Sequence, residues 1–220
     1  MTVPGLIELS HTIEDGLITY RGIPAPIICD YLSREDSRQY YSEGVSFCIN
    51  RIEMAANTGT YIDAPFHRYE NGKDLSELEL SKVTELPGMV FHAGHERKSI
   101  GADLFRGADV RHKAILVNTG WSGYWKTDQY FENHPFLTGE AAEFLKNEGA
   151  GLVGIDSLNI DDISDLSRPV HSILLNAEIP IVEHLCNLDQ LPDHGFRFNA
   201  APVSIRGFGT FPVRAYAVVE

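Results

Sequence analysis

Hydrophobic residues along this chain fall in short runs divided by glycine, proline and small polar residues. That spacing predicts many short strands and a few brief helices. Residues 6–9 read as a strand and 12–15 as a turn. Residues 45–54 place Phe47, Ile49 and Ile52 among polar neighbours, a strand-like alternation. Residues 77–80 read as a short helix, and 88–92 and 113–117 as strands, the second around the apolar run AILV. Thr138 is placed to cap a longer helix, with Glu140 near its positive end. Ala141, Phe144 and Leu145 form its apolar stripe, and Gly149 ends it. Residues 151–155, GLVGI, read as a strand with Asp156 at its C-terminal end. Pro169 starts a second helix carrying His171, Leu174 and Leu175. Pro180 stops it, 181–185 resumes as strand, and 201–219 holds two more strand candidates around Gly207 and Gly209. Strands alternating with helices in the second half predict an α/β fold. The strand-rich first half argues against a purely doubly wound sheet.

Composition narrows the picture. A chain of 220 residues, 43% hydrophobic, suffices for one sizeable core, so residues 1–220 read as a single domain. No run of about 18 apolar residues exists, so no membrane-spanning helix is expected. The opening stretch has no basic region followed by an apolar one, so no secretory signal is expected. The net charge of −13 repels phosphate backbones, and no Lys/Arg cluster offsets it, which argues against nucleic acid. Cys29, Cys48 and Cys186 are odd in number and widely spaced, which fits a reducing, cytoplasmic compartment. Each reads as a small buried hydrophobe.

The chemistry concentrates in Asn57-Thr58-Gly59-Thr60-Tyr61-Ile62-Asp63-Ala64-Pro65-Phe66-His67. In extended chain, alternate side chains share a face, so Asn57, Tyr61 and Asp63 can converge on one pocket. Pro65 ends regular pairing and lets His67 swing back towards it. A turn carrying a half-buried tyrosine and a surface histidine accounts for the same segment. Residues 168–188 form a second cluster, with His171 near a helix start and Glu183 in an apolar strand. Glu183 is either solvent-facing or buried, and a buried glutamate needs a cation, a hydrogen bond or a proton. His184 is expected to face away from Glu183. His11 reads as structural, Asp156, Asn159, Asp161 and Asp162 as loop-capping residues, and Gly207 and Gly209 as backbone bends.

Together the two clusters resemble the cyclase family of metal-dependent hydrolases, which includes bacterial kynurenine formamidases and isatin hydrolases. The family's signature is approximately HxGTHxDxPxH, followed about a hundred residues later by a His and then a Glu. Residues 57–67 carry the first part, and His171 and Glu183 the second. Residues 8–24, 114–121 and 151–161 are similar to further family segments. The resemblance implies a swivelling β/β/α fold with a mixed sheet, assembled as a homodimer or homotetramer. It implies a small-molecule substrate and no organic cofactor.

In the formamidase branch, the motif's first two histidines and its Asp bind metal, with the later His and Glu completing a two-ion site. The last motif His moves a proton. Here Asn57 and Tyr61 stand where the first two histidines belong. An amide is a weak ligand, and a phenol must first lose a proton with a reference pKa of about 10. The resemblance then implies one divalent metal, Mn²⁺ or Zn²⁺, on Asp63, His171 and Glu183, with His67 and Tyr61 as catalytic residues. The implied activity is hydrolysis of a small amide, cyclic amide or lactone. Two other readings stand beside it: a metal-independent hydrolase using Tyr61 and His67, and a small-molecule binding protein without turnover. Asn57, Tyr20, Arg21 and Trp121 are the expected substrate contacts. Arg21 can pair with a substrate carboxylate, and Trp121 lies in a strand-end loop.

Overall fold

Alternation along the central strands places apolar side chains on both faces of one large sheet. The computed structural model describes residues 5–94 and 96–219. Residues 1–4, part of the stretch in which no secretory signal is expected, lie outside them. The strands are β1 (Gly5–Glu8), β2 (Ile27–Leu32), β3 (Ile49–Glu53), β4 (Tyr61–Asp63), β5 (Leu86–His92), β6 (Ser99–Ile100), β7 (Ala114–Asn118), β8 (Phe136–Leu137), β9 (Leu152–Ile155), β10 (Ile181–Glu183), β11 (His194–Asn199), β12 (Thr210–Pro212) and β13 (Tyr216–Val219). The helices are α1 (Arg34–Ser37), α2 (Gly139–Asn147) and α3 (Pro169–Asn176).

Nine strands form the sheet, in the order β1-β13-β11-β5-β7-β9-β10-β4-β12. β5, β7, β9 and β10 run parallel, and antiparallel strands extend the sheet on both sides. The sheet curls: Ser10, just past β1, bridges to Leu185, just past β10. Leu116, Leu152, Val182, Phe196 and Phe198 fill the core on one face. Ile115, Val117, Val153, Ile155 and Ile181 point the other way, into a core shared with α2 and α3. Each such side chain, fully buried, contributes roughly 1.5–3 kcal/mol relative to exposure. This α/β architecture with a mixed sheet is the one expected from the sequence.

Thr138 caps α2 by accepting from the amide of Ala141 at 3.1 Å, and Ala141 and Leu145 are buried, as the pattern predicts. The expected helix over 77–80 is instead a single 3₁₀ turn over Leu80–Lys82. The cysteine reading needs correction. Cys186 is buried, which pushes its thiol up to about 12, but Cys29 is exposed and Cys48 half-buried. β2 and β3 form a separate hairpin that leaves Ile27, Tyr31, Ile49 and Ile52 exposed. Among the described residues no helix is long and apolar enough to cross a membrane.

Candidate functional site

The site forms on the α3 side of the sheet, and strand register builds it. β4 pairs with β10 so that Tyr61 stands opposite Glu183 and Asp63 opposite Ile181. Ile62 faces the inner core, so the alternation turns Tyr61 and Asp63 to the other face. β12 flanks β4 from the far side and sets Thr210 opposite Asp63. Pro65–His67 forms a 3₁₀ turn, which brings His67 back towards Asp63, at 3.5 Å between Nδ1 and Oδ1. The cavity so made has a volume of about 320 Å³. Asn57, Tyr61, His67, His171, Glu183 and Tyr20 line it, and Asp63 lies buried beneath.

Asp161 governs His171. Its carboxylate accepts the amides of Val170 and His171 at 2.7 and 3.0 Å, satisfying N–H groups at the start of α3. It also takes His171 Nδ1 at 2.6 Å. An ionised carboxylate only accepts, so Nδ1 carries the proton, and Nε2 is left facing Asp63 Oδ2 at 3.6 Å and Glu183 Oε1 at 3.7 Å. Burial alone pushes the His171 imidazole down, but Glu183, Asp161 and Asp63 outweigh it and hold the group up at about 10.

Glu183 is fully buried. Its Oε1 accepts the amide of Ile160 at 2.6 Å, and its Oε2 accepts the Tyr61 hydroxyl at 2.6 Å and Asn159 Nδ2 at 3.4 Å. Burial raises it to about 7, against the pull of His171. Burial also raises the Tyr61 phenol well above its usual value, reinforced by Glu183 and Asp63. Tyr61 therefore stays a neutral donor, with its one proton committed to Glu183.

Thr210 joins Asp63 to His67. Its hydroxyl donates to Asp63 Oδ1 and meets His67 Nδ1 at 2.7 Å. A hydroxyl has one proton, so His67 Nδ1 must donate to Thr210, which leaves His67 Nε2 free. Burial pushes the Asp63 carboxyl up, but His67, His171 and Thr210 together hold it below the usual range. Asp63 Oδ2 is buried with no hydrogen-bond partner. Donor atoms of Asp63, His67 and His171 all lie within 4.8 Å of one another.

Two expected substrate contacts lie elsewhere. Arg21 is held by Asp128 at 3.2 Å and Glu132 at 3.8 Å, with its guanidinium over the Phe131 ring, away from the cavity. Trp121 is buried, donates to the carbonyl of Tyr130 at 3.0 Å, and belongs to the aromatic cluster against which Tyr20 packs. His184 does not keep strand alternation. It leaves β10 with φ 56° and packs its ring 5.1 Å from Tyr61. Burial drives it down to about 3. His11 stacks on Trp125 at 4.0 Å, as a structural residue would.

Arg68, Arg168 and Asn159 also line the cavity. Position alone gives a weak signal for them: Arg68 directly follows the motif, and Arg168 precedes the helix-starting proline. Thr210 carries no local signal, since it reaches Asp63 across 147 residues of sequence.

Residues 7–162 match the family described as Putative cyclase. A kynurenine formamidase of Geobacillus thermodenitrificans is 31% identical over 175 residues, covering 79% of this chain and 81% of that protein. One from Bacillus cereus is 29% identical over 211 residues, 95% of each chain. The solved structure of isatin hydrolase A from Ralstonia solanacearum superposes with a TM-score of 0.83 at 24% identity, covering 99% of this chain and 92% of that one. The fold is shared along nearly the whole length, and with the family match and the similarity to the formamidases it shows that this chain belongs to the cyclase family.

Proposed function

We propose that the chain is a metal-assisted hydrolase of small amides, cyclic amides or lactones, related in chemistry to the formamidases it resembles. The observation that carries this reading is the buried, unpartnered Asp63 Oδ2 beside His171 Nε2. Ligands sharing one ion at about 2.0–2.2 Å stand roughly 3–3.6 Å apart. His171 Nε2 has Asp63 Oδ2 at 3.6 Å and Glu183 Oε1 at 3.7 Å, close to that spacing. Asp63, His171 and Glu183 would hold the ion, a set of two carboxylates and one imidazole that suits Mn²⁺ or Zn²⁺. A divalent ion there supplies Lewis acidity, which polarises a carbonyl and favours attack by water near neutral pH.

The chain's own residues set up the rest. Asp161 fixes the His171 tautomer, and Tyr61 and the Ile160 amide fix the Glu183 carboxylate. His67 lies on the open side with Nε2 free, and it carries the proton between solvent and the leaving group. Tyr20 and Asn57 contact the substrate. The Tyr61 proton is spent on Glu183, which weighs against a metal-free mechanism in which Tyr61 donates to the substrate carbonyl.

Turnover of a panel of N-formyl anilines, cyclic amides and lactones, assayed with Mn²⁺ or Zn²⁺, tests the reading. Hydrolysis that disappears with chelator and in His67→Ala is expected. Stoichiometric binding of panel members without turnover under any metal condition would favour the binding-protein reading instead.

The chain also works as a homodimer or homotetramer. The apolar side chains that the β2–β3 hairpin leaves exposed on its two sides support this. Light scattering of the wild type should give a multiple of the chain mass, and Tyr31→Lys should lower it. A monomeric wild type refutes the assembly.

A further inference from the structure

The cavity wall carries two arginines in a protein whose net charge is −13. Arg68 and Arg168 both line it, and a guanidinium keeps its charge at any pH the fold survives. Both heads are clamped by neutral acceptors. Arg68 Nε donates to Ser172 Oγ at 3.2 Å and its Nη2 to the carbonyl of Ser167 at 2.9 Å. Arg168 Nη1 donates to Asn159 Oδ1 at 3.2 Å. Neutral acceptors orient a guanidinium without cancelling its charge. Neither arginine pairs with a carboxylate among the described residues. Glu183, the one carboxylate lining the cavity among the described residues, already accepts from Tyr61, Asn159 and Ile160.

Arg168 is also strained. It has φ 48° and ψ 61°, left-handed backbone that a side chain with a Cβ disfavours, and it precedes Pro169. Residues before proline prefer extended backbone. Strain of this kind persists where the surroundings enforce it, and it concentrates at functional sites. Here it sits where the chain turns from the Asn159 loop into α3, and it accompanies a guanidinium held on the cavity wall.

We propose that Arg168 and Arg68 form a carboxylate-binding subsite of this cavity. The substrates are then single-ring amides or lactones that also carry an anionic carboxylate. Two guanidiniums with free N–H groups suit the paired oxygens of a carboxylate. A cavity of about 320 Å³ suits one ring, and Tyr20, Ile23 and Tyr61 give it apolar wall. The substrate class rests on the hydrolase reading above, whereas the subsite itself is tested by binding alone.

The probes are benzoate and benzamide, which match in shape and differ in charge. Calorimetric titration of the full chain, treated with chelator to remove any ion, should show benzoate binding on the order of tenfold more tightly than benzamide. The preference should shrink as salt rises. Arg168→Gln and Arg68→Gln should each reduce benzoate affinity several-fold and leave benzamide affinity unchanged. Arg68→Gln serves if the strained Arg168 position does not tolerate substitution, and thermal unfolding verifies that each variant is folded. Equal affinity for the two probes overturns the proposal. So does benzoate that fails to bind at millimolar concentration, or a preference that survives both arginine variants. A benzoate preference that depends on the arginines, in a protein that hydrolyses no amide or lactone, leaves the subsite standing and sinks the hydrolase reading alone.

Discussion

Tyr61 and Glu183 stand directly opposite each other on adjacent antiparallel strands, and the phenol donates to the carboxylate at 2.6 Å. The pair explains how a histidine position of the family motif can hold tyrosine. Kept neutral by burial, the phenol is ill suited to ligate an ion as an imidazole would. It holds a neighbouring carboxylate in place from within the sheet.

Tyr61→Phe keeps the ring and removes that donor. Glu183 Oε2 then keeps only the long contact to Asn159 at 3.4 Å. Urea denaturation should show a loss of about 1–3 kcal/mol, the cost of a buried acceptor left short of a partner. Unchanged stability would mean that the hydrogen bond does not hold Glu183.

Asp161→Asn separates two roles of one carboxylate. The start of α3 loses its acidic cap, which should cost about 1–2 kcal/mol in denaturation. His171 loses the partner that fixes its tautomer, so Mn²⁺ or Zn²⁺ affinity should fall roughly 10- to 100-fold by calorimetry. A stability loss with unaltered metal affinity would make Asp161 a cap alone.

Gly209→Ala strikes the site from behind. A Cβ at Gly209 would lie 2.3 Å from the backbone nitrogen of His67 and 2.5 Å from its Cα. Backbone cannot give way as a side-chain tip can. β12 must move off β4, or the turn carrying His67 must shift. A stability loss of about 2 kcal/mol or more and loss of turnover are expected. A fully stable, active variant would show that this packing is looser than the structure indicates.

Much of this was legible in the sequence. Gly151–Ile155, the capped helix after Thr138 and the proline-started helix carrying His171 all follow from local pattern and end chemistry. The segment from Asn57 to His67 was legible as a candidate site because its polar residues alternate and because it resembles a family motif. Tertiary pairing hid the rest. Thr210 enters through strand pairing, which no local rule exposes. Arg21 lies in a site-like segment, but Asp128 and Glu132 pull it aside. β11 has a period-two pattern in Phe196 and Phe198, a short strand signal outside the strands that the sequence pattern predicts.

Asp156 predicts a pH dependence independent of the site. Burial raises it to about 6 despite hydrogen bonds from Thr119 and Gly120. Between about pH 4 and 6 the native state keeps a proton that the unfolded chain releases. Its contribution to stability therefore falls as pH rises through that window, by roughly 2–3 kcal/mol, and stays lower above it. Asp156→Asn removes this titration. Its cost in urea should be larger at pH 4 than at pH 7 by about that amount, and an equal cost at both contradicts the shift.

The most direct test of the central claim is elemental analysis after loading with Mn²⁺ or Zn²⁺, comparing wild type, His67→Ala and His171→Ala. The assignment of Asp63, His171 and Glu183 as ligands, with His67 outside, gives one ion per chain in wild type and His67→Ala, and none in His171→Ala. Wild type without an ion, or His67→Ala losing it as His171→Ala does, would contradict that assignment.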